Sequence, residues 1–259
     1  MKLIENILQL KRQEVEKRKK TVPLKGIEKL IDKCNPLFGF SDSLSSYKSR
    51  FRIIAEIKPA SPSAGVIAEN VDALNVAKQY EKGGAAAISV LTEETYFKGS
   101  LTMLHLVAKS STLPVLRKDF IIDEYQIYEA RSYRADAILL IASQLDRNQL
   151  EHFRVTGEKM GMDSLVEVHD RNDIDLALES GAKIIGINNR NLKTLKTDIS
   201  VTEKLIKYIP KDKIIVSESG IKNKNDLIRL ENSGIRCFLI GEMLMRTEEK
   251  EAILKNFCN

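Results

Sequence analysis

The feature that most limits what this chain can fold into is a rhythm. From residue 52 onward, short apolar runs of β type alternate with segments of helical periodicity. The runs are Arg52–Lys58, Ala86–Thr92, Pro114–Asp119, Ala137–Ala142, Ser164–Val168, Ile184–Asn188, Ile214–Glu218 and Cys237–Gly241. Helix-start residues stand ahead of the amphipathic stretches between them: Asn70, Ser100, Asp123, Asp146 and Asp198. Breakers such as Gly83-Gly84, Pro114, Gly161, Gly181, Pro210 and Gly234 precede the returning strands. Strands that alternate with helices imply right-handed crossovers and a parallel sheet. Eight such units in a chain of 259 residues predict an α/β fold, a closed (β/α)8 barrel. A doubly wound open sheet is the alternative. It calls for a glycine-rich dinucleotide turn after the first strand, and that turn is missing.

The first fifty residues read as a helical extension packed on a single barrel domain spanning residues 1–259. One amphipathic helix runs from Leu3 to about Arg18, with Leu3, Ile7, Leu10 and Val15 near helical spacing. A second covers Leu24–Lys33, and Pro36, Gly39 and the Ser-rich segment Ser41–Ser49 lead into the first strand. The hydrophobic fraction of 43% is enough for a sizeable core. A net charge of +5 is too mild to imply nucleic acid. The basic cluster Lys11–Lys20 reads as the solvated face of a helix, with an RNA-binding arm as the alternative. Cys34, Cys237 and Cys258 form no C-x-x-C pair, and His105, His152 and His169 are scattered, so no metal site is predicted. With no signal peptide and no apolar run of membrane length, the expectation is a soluble, cytoplasmic protein without membrane or nucleic-acid partners.

Within this frame the unusual residues fall where a barrel puts its chemistry, at the C-terminal ends of strands. In Arg52–Ser63 (RIIAEIKPASPS), Glu56 and Lys58 are two apart and so share one face of the strand, before Pro59 and Pro62 end the pairing. Strand two ends in Thr92, followed by Phe97, Gly99 and Ser100; strand three ends in Arg117-Lys118-Asp119-Phe120. Strand five ends in Glu167 with His169 beyond it, and strand six runs into Asn188-Asn189-Arg190-Asn191. Strands seven and eight end in Ser217-Glu218-Ser219-Gly220 and Gly241-Glu242. Buried charge is costly, so its concentration on one rim points to catalysis rather than stability. Glycines after strands seven and eight suit a phosphate held on backbone N–H groups.

Taken in order and spacing, IAEIKPASPS, LRKDF, LVEVHD, GINNRNL, VSESGI and FLIGE closely resemble the indole-3-glycerol-phosphate synthase family of tryptophan biosynthesis. The resemblance runs from about Leu44 to Arg246, and the N-terminal helices are similar to the family's too. It implies a barrel with no metal and no organic cofactor. The implied substrate is 1-(2-carboxyphenylamino)-1-deoxyribulose 5-phosphate, which closes to an indole with loss of CO2 and water. The implied general acid is Lys118, its pKa lowered by burial or by the cations Lys58 and Arg190; a structural ion pair with Asp119 or a glutamate is the plainer alternative. Glu56 and Glu167 are implied for the dehydration, with Lys58, Asn188 and Glu218 completing the polar network. Phe97, Phe120, Leu139 and Leu192 map onto the aromatic pocket, though each could simply be core. Arg190 suits the carboxylate. Ser61 and the backbones of Gly220, Gly241 and Glu242 suit the phosphate end, with the charge of Lys58 as a further candidate and only the N–H of Glu242 facing inward; Ser219 contacts the substrate or orients Glu218.

Departures from the family pattern are small: Tyr96 stands where phenylalanine is common, and Ala64 where lysine is common. The chain ends shortly after the eighth helix, so no fused second enzyme is expected, and either a monomer or a homodimer fits. The rival readings lack their signatures. Phosphoribosylanthranilate isomerase uses a cysteine at the end of strand one, where this chain has Glu56-Ile57-Lys58. An aldolase-type barrel calls for a Schiff-base lysine on strand six, where it has Asn188-Asn189. A non-catalytic phosphate-binding or RNA-associated barrel is the remaining alternative, and turnover discriminates it.

Overall fold

The computed structural model describes residues 2–34, 36–45, 49–192 and 194–258. Eight parallel strands close on themselves: β1 (Arg52–Ile57), β2 (Ala87–Leu91), β3 (Val115–Lys118), β4 (Ala137–Ile141), β5 (Asp163–Val168), β6 (Ile184–Asn188), β7 (Ile214–Glu218) and β8 (Cys237–Ile240). Each pairs with its sequence neighbours, and β8 returns to β1 with Arg52 opposite Cys237, so the barrel itself has no open edge; a separate two-stranded ribbon pairs Ala60–Ser61 with Gly65–Val66. All eight expected strands are present, displaced by no more than a residue or so at their ends.

Helices cover the outside: α4 (Ala73–Lys82), α5 (Leu101–Ser110), α6 (Tyr125–Ser132), α7 (Arg147–Lys159), α8 (Arg171–Glu179), α9 (Ser200–Leu205), α10 (Lys224–Glu231), and the short α11 (Glu242–Met245) with α12 (Lys250–Cys258). Three precede the barrel: α1 (Lys2–Thr21), α2 (Leu24–Ile31) and α3 (Phe40–Ser45). Side-chain alternation splits the core in two. Outward residues such as Ile53, Ile57, Val90 and Ile185 pack under the helices, while inward ones such as Ile54, Leu116, Leu165 and Ile184 fill the barrel.

The helix starts follow local capping chemistry. Ser100 accepts from the N–H of Met103 at 3.1 Å, and Asp146 forms a reciprocal capping box with Gln149. Ahead of α4 the cap is Asp72, which accepts from the N–H of Asn75, and not Asn70, which sits two residues earlier at φ +49°. The left-handed turn at Asn70 reorients the chain first, and the helix begins only after it. Asp123 and Asp198 each bond an early N–H, of Tyr125 and Ser200, from just outside the helix.

Two features of the extension differ from expectation. The Ser-rich segment contains α3, whose Phe40 and Leu44 are buried in the inner cluster against the first residues of the strands and plug the N-terminal end of the barrel. Positions 46–48 of that segment lie outside the described residues. The basic stretch of α1 is a solvated face only in part: Arg12, Lys17 and Lys20 are exposed, but Lys11 and Arg18 turn to the barrel. Lys11 is 1% exposed and pairs with Asp119 (2.9 Å) and Glu14 (2.8 Å), while Arg18 reaches Glu94 and Glu129. Period alone cannot show that a neighbouring element supplies matching carboxylates. Among the described residues no helix is long and apolar enough to cross a membrane, and no group of His, Cys, Asp and Glu is arranged to hold a metal.

Candidate active site

A cavity of about 570 Å³ opens at the C-terminal mouth of the barrel. Lining it are Glu56, Lys58, Lys118, Glu167, Asn188 and Glu218, together with Ser61, Phe97, Phe120, Leu139, Arg190, Leu192, Ser219, Gly220, Gly241 and Glu242. Every candidate residue of the sequence reading is therefore brought to one place. Alternation explains why. Glu56 follows inward Ile54, Lys118 follows Leu116, Glu167 follows Leu165 and Glu218 follows Val216, so each charged group is the last inward residue of its strand.

The polar floor is a cluster of opposite charges. The Lys118 ammonium donates to Glu167 Oε2 at 3.1 Å and lies 3.6 Å from Glu218, while Lys58 meets Glu56 at 2.6 Å. Burial pushes the Lys118 pKa down, but Glu167, Glu218 and Glu56 push it up further, so it lies above the ordinary lysine value. This corrects the expectation of a lowered pKa. The cations that were to lower it have partners of their own: Lys58 faces Glu56, and Arg190 donates to the Leu195 carbonyl at 2.9 Å and lies 3.8 Å from Glu242. Asp119 is not the partner of Lys118 either. It points to the opposite face of β3, where Lys11, Arg117 and Thr92 bind its carboxylate.

The two glutamates beside Lys118 are driven apart. Burial raises Glu167, but Lys118, His169 and Asn188 more than reverse this and hold it well below the carboxylate range. Burial, with Glu167 and Glu56 close by, pushes Glu218 up to about 8 against the pull of Lys118. The opposite directions make Glu167 the more acidic carboxyl of the pair, a separation of the kind that divides acid and base roles.

Close approach of backbone makes room for these side chains. A Cβ on Gly186 would overlap Glu218 Oε1, and one on Gly241 would overlap Glu56 Oε2. The loops are positioned by groups outside the chemistry. Glu93, buried beyond β2, accepts from the N–H groups of Thr95, Tyr96 and Phe97 and so fixes the loop that carries Phe97, whose ring lies 6.3 Å from that of Phe120. Asn189 faces away from the cavity. It donates to Ser217 and to the carbonyl of Ser219, and it accepts from Thr202, which ties the ends of β6 and β7 to α9. The Glu242 carboxylate turns to Arg246, accepting from Nε and a terminal nitrogen at 3.2 Å each.

Sequence reasoning missed the roof of the cavity, Leu3, Ile4 and Ile7 of α1, as well as Lys222 and Arg246 at its rim. The apolar periodicity of α1 was visible, but its seat across the barrel mouth was not. It also passed over Glu93 as a group that positions a loop.

Comparison with known proteins gives the same picture. The fold is shared with 3-hexulose-6-phosphate synthase from Salmonella typhimurium (TM-score 0.64, 11% identity, 80% of this chain and 96% of that one). It is shared also with KGPDC from Streptococcus mutans (TM-score 0.61, 11% identity, 80% of this chain and 94% of that one). At such identities the likeness concerns the fold alone. Sequence relatives reach further. Indole-3-glycerol phosphate synthase of Caldanaerobacter subterraneus subsp. tengcongensis is 48% identical over 249 residues, covering 95% of this chain and 94% of that one. The Campylobacter jejuni subsp. doylei protein of the same name is 45% identical over 255 residues, covering 98% of each. A family model described as indole-3-glycerol phosphate synthase matches residues 4–257, so a barrel mouth lined with paired lysines and glutamates belongs here to a member of the indole-3-glycerol phosphate synthase family, carboxy-lyases of tryptophan biosynthesis.

Proposed function

We propose that the cluster around Lys118 carries out ring closure, decarboxylation and dehydration of 1-(2-carboxyphenylamino)-1-deoxyribulose 5-phosphate. The substrate has a flat aromatic ring, a carboxylate, a ketose carbonyl and a phosphate, and the cavity offers a matching surface for each. Phe97, Phe120, Leu139 and Leu192 take the ring. The Arg190 guanidinium takes the carboxylate, exchanging the distant Glu242 for a fork-shaped contact. Ser61 and the backbone of Gly220, Gly241 and Glu242 take the phosphate, with Ser219 beside them against the substrate.

In the first step the ring carbon bearing the carboxylate attacks the ketose carbonyl carbon. The carbonyl oxygen gains electrons and takes a proton from the Lys118 ammonium, which the surrounding glutamates keep charged. Cleavage of the bond to CO2 then returns its electrons to the ring. Dehydration removes a proton from the new ring and hydroxide from its neighbour. Glu167 is the base, being the carboxylate held ionised, and Glu56 with Lys58 helps the hydroxyl leave. Asn188 steadies Glu167, and Glu218 confines the Lys118 ammonium.

What supports this reading above all is the position of Lys118, within 3.6 Å of both Glu167 and Glu218 on the floor of the cavity. The test is Lys118→Ala, assayed by product fluorescence and CO2 release. A loss of at least about two orders of magnitude in kcat is expected, as for removal of a general acid; a variant near the wild-type rate overturns the acid assignment.

A further inference from the structure

His169 lies just beyond β5 and does not line the cavity, yet its surroundings are those of a functional histidine. Both ring nitrogens are shut off from solvent, and neither has a partner with hydrogen-bond geometry. Their neighbours are carboxylates instead. Nε2 lies 3.3 Å from Glu167 Oε1, and Nδ1 lies 3.5 Å from Asp173 Oδ2. A neutral imidazole has one nitrogen that can only accept, and a carboxylate oxygen can only accept too. Between two carboxylates one face of a neutral ring would always be repelled. The imidazolium, carrying positive charge between the two carboxylates, is attracted to both.

The clamp is built into the start of α8. Asp170 caps the helix by accepting from the N–H of Asp173, and the Asp173 carboxylate accepts from the backbone N–H of His169 at 2.8 Å. Arg171 turns outward to Asp175 and leaves Asp173 to the histidine. The 3-10 turn Ala142–Gln144, which also packs against this region, carries no charge. On the other side Glu167 is faced by Lys118, with Glu218 beyond and Asn188 adjoining. The result is a row of alternating charges running from the barrel mouth to a helix N-terminus: Lys118, Glu167, His169, Asp173. The two oxygens of Glu167 thus have different cations, Lys118 on Oε2 and His169 on Oε1.

We infer that His169 is a positioning residue for the reaction: as an imidazolium braced by Asp173, it fixes the orientation of the Glu167 carboxylate and keeps it ionised beside Lys118. Burial works against the charged ring, but Asp173 and Glu167 more than compensate and raise its pKa to about 10. The inference rests on the assignment of Glu167 as a base, so its test separates the two.

In His169→Gln the Glu167 carboxylate loses the cation that braces it, and kcat at pH 8 falls about tenfold or more. KM at pH 8 stays near wild type, because His169 does not line the cavity. His169→Lys, which restores a cation, returns kcat toward the wild-type value. An unchanged kcat in His169→Gln overturns the inference. Glu167→Gln is the control for the underlying assignment. If it retains near-wild-type kcat, the base assignment fails; if it is inactive while kcat in His169→Gln stays put, only the role of His169 fails. A measurement on the unmodified protein avoids any folding defect in the variants. With only three histidines, 15N-histidine NMR resolves each ring. At pH 8, His169 gives the doubly protonated signature while His105, held below the ordinary histidine value chiefly by burial, is neutral. A neutral His169 ring at pH 8 overturns the inference as well.

Discussion

At the scale of single residues, the site depends on atoms that are absent as much as on those present. Gly241 and Gly186 have no Cβ where Glu56 and Glu218 need space. Gly241→Ala is expected to displace the Glu56–Lys58 pair and lower kcat by roughly a hundredfold, the usual scale for a shift of about an ångström among reacting groups. The thermal midpoint should move by only a few degrees, so steady-state kinetics and a melting curve on one preparation check it. Arg190→Lys keeps the charge but loses the planar fork. It is expected to raise KM about tenfold or more with a smaller effect on kcat, and kinetics with varied substrate measure the split. Glu56, Lys58, Lys118 and Glu167 were legible in the sequence because buried strand ends rarely carry charge. The sign of the Lys118 shift was not, because it depends on which groups are nearer, and the glutamates around it, Glu167 first, outweigh cations already paired elsewhere.

At the scale of elements, α1 is fastened to the outside of β3. Lys11, Arg117 and Thr92 converge on Asp119, and Arg117 and Arg18 share Glu129. Burial would raise the Asp119 pKa, but Lys11 and Arg117 with the Thr92 hydroxyl hold it down to about 2. A carboxylate with a lowered folded-state pKa stabilises the fold fully above its unfolded value near 3.8 and loses that contribution as pH falls toward 2. The contribution is about 2 kcal/mol at neutral pH. Lys11→Met leaves this buried carboxylate short of a partner and is expected to cost about 3 kcal/mol. It should also flatten the loss of stability between pH 4 and pH 2, as read from denaturant unfolding over that range. Helix α1 itself was visible from its apolar spacing. Lys11 and Arg18 were misread as solvated because their partners, Asp119 and Glu129, lie more than a hundred positions away in the chain.

At the scale of the whole molecule, the two ends of the barrel divide the work. The C-terminal mouth holds the charges, and the N-terminal end is closed by Phe40 and Leu44 of α3. Phe40 is fully buried, so Phe40→Ala opens a cavity and is expected to cost about 3–5 kcal/mol in unfolding free energy. At 25 °C, kcat should stay within about twofold of wild type, since stability and chemistry reside at opposite ends of such barrels. Calorimetry and the fluorescence assay together check both halves of the statement.

The sequence alone determined the number of barrel strands, their order and the residues at their ends. Those follow from period, breakers and the two-residue alternation of a strand, all of which act between near neighbours. Only the tertiary structure decided that α1 roofs the cavity, that α3 plugs the base, and that His169 stands between Glu167 and Asp173. It also decided in which direction each buried carboxyl is shifted. These depend on distances between groups far apart in the chain, and in a buried site a few ångströms of separation set the balance between desolvation and Coulomb attraction.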